Sequence, residues 1–238
     1  MKILLCLILA PLPSIIWLAF YLRKDRHPEP NRMIIKIFLL GALVVVAAGF
    51  LEFATSFASK IIYLNKIWFI VISFALIEEI LKYLVVRFGV LKNPEFDEPV
   101  DTMIYMIIAA LGFAAAENIY LLSQIHPQEI PLASTLLFIT TRFLGATFLH
   151  ALASAIAGYF LAASLLITSK IRKILIGGGI LAATILHSIF NYLIILNSRQ
   201  LINDAERNIY LVILLGGMAI MVSFMFKKIN RYRSICKI

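Results

Sequence analysis

From Ile37 to Leu51 the chain reads IFLLGALVVVAAGFL, a run in which no side chain can donate or accept a hydrogen bond. Runs of this kind recur along the sequence and constrain the fold more than any single motif. In hydrocarbon, a backbone N–H or C=O without a partner is too costly to tolerate, so each run must close its hydrogen bonds internally, as a helix. Seven segments are long enough to cross a bilayer, at about residues 3–22, 34–58, 67–90, 102–123, 134–168, 174–196 and 209–226. The predicted fold class is all-α, a polytopic transmembrane helix bundle of about seven spans, organised as one membrane domain over residues 1–238. Composition agrees. Of 238 residues, 62% are hydrophobic and 15% charged, whereas a soluble domain has about 45–50% apolar and about 25% charged residues. The fifth segment is too long for one straight span. It is expected either as a kinked or tilted helix, or as a short surface helix followed by a true span from about Thr141. Pro11 and Pro13 should bend the first segment, which neighbouring helices can tolerate. That segment begins like a signal peptide, but its apolar run continues to Leu22 with no small-x-small cleavage site, so it is read as an uncleaved span.

The net charge of +9 sits between the apolar runs rather than in a basic patch interleaved with aromatics, which argues against a nucleic-acid partner. Of the 22 lysines and arginines, fifteen fall on one side of a seven-span arrangement. They cluster at Arg23–Lys36, Arg87–Lys92, Lys170–Lys173 and Lys227–Lys237. Five fall on the other side: Lys2, Lys60, Lys66, Arg199 and Arg207. Positive charge prefers the cytoplasm, so the N-terminus is expected outside and the C-terminus inside. Cys6 and Cys236 then lie toward opposite faces and form no metal or disulfide pattern. The remaining two cations, Lys82 and Arg142, lie within apolar segments.

Those two are not alone. The third segment reads IVISFALIEEILKYLVV and carries Glu78, Glu79 and Lys82. A charge at mid-membrane costs about 2.5–3.5 kcal/mol, and each leucine or isoleucine returns only about 0.3–0.6 kcal/mol. The segment therefore needs neighbours that pair or hydrate its charges. On a helix Lys82 stands at i+4 from Glu78 and i+3 from Glu79, so it can reach either carboxylate. The fourth segment carries Glu117 and Asn118 behind a stretch of small residues. The fifth carries Arg142 and His150, with Ala146, Ser154 and Gly158 near the histidine face. The sixth carries His187 and Asn191 at i,i+4. At about 1.5 Å per residue, Glu78 and Glu79 lie roughly 17–18 Å below the outer edge of their span. Glu117 lies about 9 Å below, and His150 and His187 about 14 Å below, so the groups can share one layer. Other polar positions read more simply. Asp101 caps the fourth helix, Glu52 reaches the outer interface, and His27 and His126 are loop residues.

These residue types suit peptide hydrolysis, which needs an activated water, a proton donor for the leaving amine and stabilisation of an oxyanion. No serine or cysteine nucleophile has a plausible partner. Two mechanisms follow: water activated by Glu78 or Glu79 with Lys82 beside it, or water activated through zinc, with His150, His187 and Glu79 as candidate ligands. Buried glutamate, lysine and histidine also serve proton relays. A proton-coupled transporter is thus an alternative, although no inverted repeat is visible. A non-catalytic membrane scaffold is a third.

The motifs EEILK at Glu78–Lys82, FAAAEN at Phe113–Asn118, HALASAIAGY from His150 and HSIFN at His187–Asn191 occur in order on separate segments. In this the chain resembles the PrsW-type intramembrane proteases, relatives of the CAAX-processing and bacteriocin-protection membrane proteases. The resemblance implies a multi-pass protein of a prokaryotic plasma membrane. Its substrate would be a membrane-anchored protein such as an anti-sigma factor, cut near the extracytoplasmic face at the start of a stress response. The implied catalytic set is Glu78, Glu79, Glu117, His150, His187 and Asn191, supported by Lys82, Phe113 and Arg142.

Overall fold

The structure, a computed structural model, describes residues 8–24, 27–61, 67–124, 132–167 and 170–232. Cys6, His126, Cys236 and the first residues of the first predicted span lie outside them. The described residues form helices and no strand: α1 (Leu12–Leu22), α2 (Asn31–Ile61), α3 (Ile67–Gly89), α4 (Pro99–Gln124), α5 (Leu132–Leu144), α6 (Ala146–Leu165), α7 (Ile171–Ser198) and α8 (Asp204–Ile229). By length and composition, α2, α4, α5 with α6, α7 and α8 can each cross a membrane. Helix α3, at 23 residues, is also long enough, but Glu78, Glu79 and Lys82 dilute its apolar character. Helix α1 is shorter, 11 residues in its regular part.

The helices differ in what they face. In the most apolar stretch of α4, 94% of the residues are buried, against 22% in α2 and α8. Helix α4 is therefore the central post, and α2 and α8 form the rim. On α2 the exposed residues Leu39, Leu43, Val46, Phe50, Phe53 and Phe57 recur every three or four positions. That spacing makes one continuous apolar stripe, the lipid-facing side of a membrane helix. Small residues let α4 pack closely. At Gly112 an added Cβ would collide with the Phe38 carbonyl of α2, so only glycine allows this approach.

One end of the bundle joins the connections that carry most of the positive charge. There Lys36 Nζ donates to the Gly89 carbonyl at 3.2 Å, and Tyr105 donates its hydroxyl proton to Glu29. The start of α4 is closed by Asp101, whose Oδ2 accepts from the backbone N–H of Asp97 at 3.1 Å and of Glu98 at 2.8 Å. This is the capping role expected from its position.

The long fifth segment resolves into α5 and α6, broken at Gly145, where φ is −106° and ψ is −101°. A side chain there would sit 2.7 Å from the Thr141 carbonyl oxygen. Next to the break, the Phe143 carbonyl accepts a hydrogen bond from Trp17 Nε1 at 2.9 Å, and the Trp17 ring stacks on Phe148. Helix α1 thus holds the kink, and the kink turns Arg142 of α5 toward α4.

Candidate active site

The ionisable residues of α3, α4, α5, α6 and α7 meet in one network. Lys82 Nζ, fully buried, donates to Glu79 Oε1 at 2.8 Å and Glu78 Oε2 at 3.2 Å. It also donates to His150 Nδ1 at 2.9 Å. Ammonium has only donors, so His150 Nδ1 must accept. The proton of that imidazole is then on Nε2, which donates to Glu117 Oε2 at 3.1 Å. Phe113 covers this corner. Its ring lies 4.6 Å from Lys82 Nζ and 5.6 Å from the His150 ring, centre to centre, a cation–π contact that helps keep the ammonium in an apolar surrounding.

Glu79 is fully buried. Its Oε1 also accepts from His187 Nδ1 at 3.0 Å, and its Oε2 accepts from Ser154 Oγ at 3.2 Å. With Nδ1 donating, His187 keeps a free lone pair on Nε2, which lies 3.9 Å from Glu78 Oε2. The two histidine rings stand at 89° with centres 5.0 Å apart.

On the other flank, Arg142 pairs with Glu117 and donates from Nε to Asn118 Oδ1 at 2.5 Å. Asn118 in turn donates to Thr147 Oγ1 at 3.2 Å and to the Ala10 carbonyl at 3.3 Å. Glu78 and Glu117 line a cavity of about 900 Å³ between α2, α3 and α4. The cavity wall also includes Val46, Phe50 and Phe53 of the lipid-facing stripe, so the site communicates with the bilayer side of α2.

Three donor atoms, one each from Glu78, His150 and His187, lie within 4.8 Å of one another. Two imidazoles and a carboxylate are a donor set that catalytic zinc uses, with a further position left for water or substrate; His150 would offer Nδ1 to a metal only once the Lys82 ammonium turns away from it. The set fits in a second way. Glu79 fixes His187 through Nδ1 and leaves Nε2 available, which is the usual outer partnership of a metal-binding histidine. The geometry groups Glu78 with the histidines, where the sequence reading put Glu79.

Most of the residues singled out in the sequence therefore come together: Glu78, Glu79, Lys82, Phe113, Glu117, Arg142, His150 and His187. Asn191 does not join them. It lies one turn beyond His187 on α7, half-buried, and makes no side-chain hydrogen bond among the described residues. Ser154 and Trp17 enter as new members. Ser154 was visible only as a small residue near the histidine face, and nothing in the sequence tied Trp17 to α5. Glu52 is placed differently from its sequence reading. Helix α2 continues to Ile61, which keeps Glu52 more than two turns inside the helix and in the wall of the cavity.

Known proteins resemble this chain over most of its length. Residues 29–224 match the family model described as PrsW family intramembrane metalloprotease. Protease PrsW of Geobacillus kaustophilus is 32% identical over 181 residues, covering 76% of this chain and 75% of the relative. Protease PrsW of Oceanobacillus iheyensis is 32% identical over 188 residues (76% and 79%), and that of Bacillus subtilis 26% identical over 184 residues (76% and 79%). No solved structure matches the chain. The intramembrane cluster, the helical bundle around it and these relatives lead to one conclusion: the chain belongs to the PrsW family of intramembrane metalloproteases and is a multi-pass protease of the cell membrane.

Proposed function

We propose that this protease cuts a membrane-anchored protein at a bond held beside Glu78 and Glu117, near the extracytoplasmic face. The single observation that carries this reading is the cavity. Of the site's ionisable groups, these two carboxylates line it; Glu78 lies beside both histidines and Glu117 beside His150. Glu78, His150 and His187 would hold a zinc ion, which when bound supplies a Lewis acid and lowers the cost of deprotonating water. Glu117 is the base in this reading. It borders the cavity, can receive the proton of the attacking water and can return it to the departing amine. Arg142, beside Glu117, can place positive charge where the oxyanion develops. Glu79, Lys82 and Ser154 keep His187 and Glu78 in position. The basic asymmetry of the connections supports a site toward the outer leaflet, and the family resemblance supports an anti-sigma-factor-like substrate.

One observation favours a second mechanism at the same site. The Lys82 ammonium already bridges Glu78, Glu79 and His150, so a glutamate can act as base beside a cation supplied by the chain itself.

The test is cleavage by purified protein in liposomes of a single-span substrate labelled at both ends. The expected result is a new terminus at the outer end of the substrate span, absent with Glu117→Gln. An intact substrate, a cut at the cytoplasmic end, or full activity in Glu117→Gln would contradict this reading.

A further inference from the structure

Between Lys36 and Lys60 the only ionisable residue of α2 is Glu52. At about 1.5 Å per residue it lies roughly 13 Å inside the end of the helix at Ile61. A carboxylate at that depth is costly, and such groups normally face a partner or a cavity. The other intramembrane carboxylates have partners: Lys82 serves Glu78 and Glu79, and Arg142 serves Glu117. Glu52 is half-buried and makes no hydrogen bond or ion pair among the described residues. It lines the same cavity as Glu78 and Glu117, together with Ser56 and Tyr120. Lysine, arginine and histidine are missing from that lining among the described residues. The cavity thus has an apolar wall open toward lipid, the reaction carboxylates on its inner side, and one further acid with no ion-pair partner among the described residues.

We propose that Glu52 selects the substrate. Its carboxylate receives the side chain of a lysine or arginine close to the scissile bond, in the membrane segment that lies in the groove between α2 and α4. A cation there pairs the one uncompensated carboxylate of the groove, and the paired charges hold the segment in register with Glu78 and Glu117. This rests on the reading that the cut is made beside those two glutamates.

The experiment uses single-span peptides identical except for Lys, Gln or Glu at each position flanking the cut, with full-length protein in nanodiscs. Loss of one partner of a desolvated charge pair is a large effect. The wild-type protein should therefore favour Lys over Gln by at least about tenfold in kcat/KM at one position. In Glu52→Gln that ratio should fall to about one, in Glu52→Asp it should return, and in Glu52→Lys the Glu peptide should become the favoured one. A ratio that survives in Glu52→Gln, or a loss shared equally by all peptides, would overturn the proposal. The equal loss would assign Glu52 to helix packing or proton transfer. Binding of the same peptides to the Glu117→Gln protein, read by fluorescence anisotropy, reports the preference with no bond broken. Peptides that bind with the charge preference yet are never cut by wild type would overturn the reading of the cut site and uphold Glu52. Peptides that are cut without any preference would do the reverse.

Discussion

The two sides of the polar cluster use the same residue types in opposite surroundings. On the closed side, both oxygens of Glu79 accept hydrogen bonds, from Lys82, His187 and Ser154, and no part of the residue reaches the surface. On the open side, Glu117 keeps 26% of its side chain exposed, and it borders the cavity with Glu78. A buried ion pair is weak evidence for stability, but breaking one is severe because the surviving charge has nowhere to go. The difference separates two jobs. In the proposed mechanism the closed side fixes the geometry, and the open side meets substrate.

Substitutions can break or sharpen that division. The largest effect is expected on the open side. Glu117→Gln keeps the shape and removes the proposed base, so cleavage should fall about 10²–10⁴-fold, while the stability loss stays smaller than for Lys82→Met because Arg142 keeps its bond to Asn118 and is partly exposed. Rates and melting curves taken on one preparation check both halves of that statement. Next comes Lys82→Met on the closed side, which strands the Glu79 carboxylate away from water. A stability loss of about 3–5 kcal/mol is expected in detergent unfolding, with activity falling alongside the folded fraction. If Lys82→Met instead abolished cleavage in a protein of wild-type stability, the lysine would belong to the reaction and the division would collapse. Ser154→Ala removes one donor from a charged acceptor. It should cost about 1.5–3 kcal/mol and leave the substrate preference alone, as read by unfolding and by competition between two peptides.

Much of this arrangement was legible in the sequence, for physical reasons that also mark where legibility ended. Apolar runs announce membrane helices because hydrocarbon leaves the backbone few alternatives. Charges inside those runs announce a site because they are too expensive to be idle. The expected depths of Glu117, His150 and His187 brought them into one layer, and the structure joins them to α3. Direction was harder to read. Glu78 and Glu79 are adjacent, yet they leave the helix about 100° apart, and only the packing of α6 and α7 decides which one meets the cavity. The same limit applies to Asn191, which shares a face with His187 by spacing but sits one turn beyond the cluster. The break at Gly145 is braced by Trp17, a residue more than a hundred positions away whose Nε1 donates to the Phe143 carbonyl. Glu52 was misjudged because the apolar run fades after Ala58, whereas the helix itself continues to Ile61.

In the proposed centre Glu78, His150 and His187 would hold zinc, and Glu117 would carry the proton transfers. Zinc content and cleavage, measured together on wild-type, His187→Ala and Glu117→Gln proteins, test it most directly. About one zinc per chain is expected in the wild type and in Glu117→Gln, with cleavage only in the former. His187→Ala should fold, lack zinc and lack activity, and chelation of the wild type should abolish cleavage until zinc is returned. Full cleavage by folded protein stripped of metal would contradict the account and transfer the reaction to the glutamates and Lys82 alone.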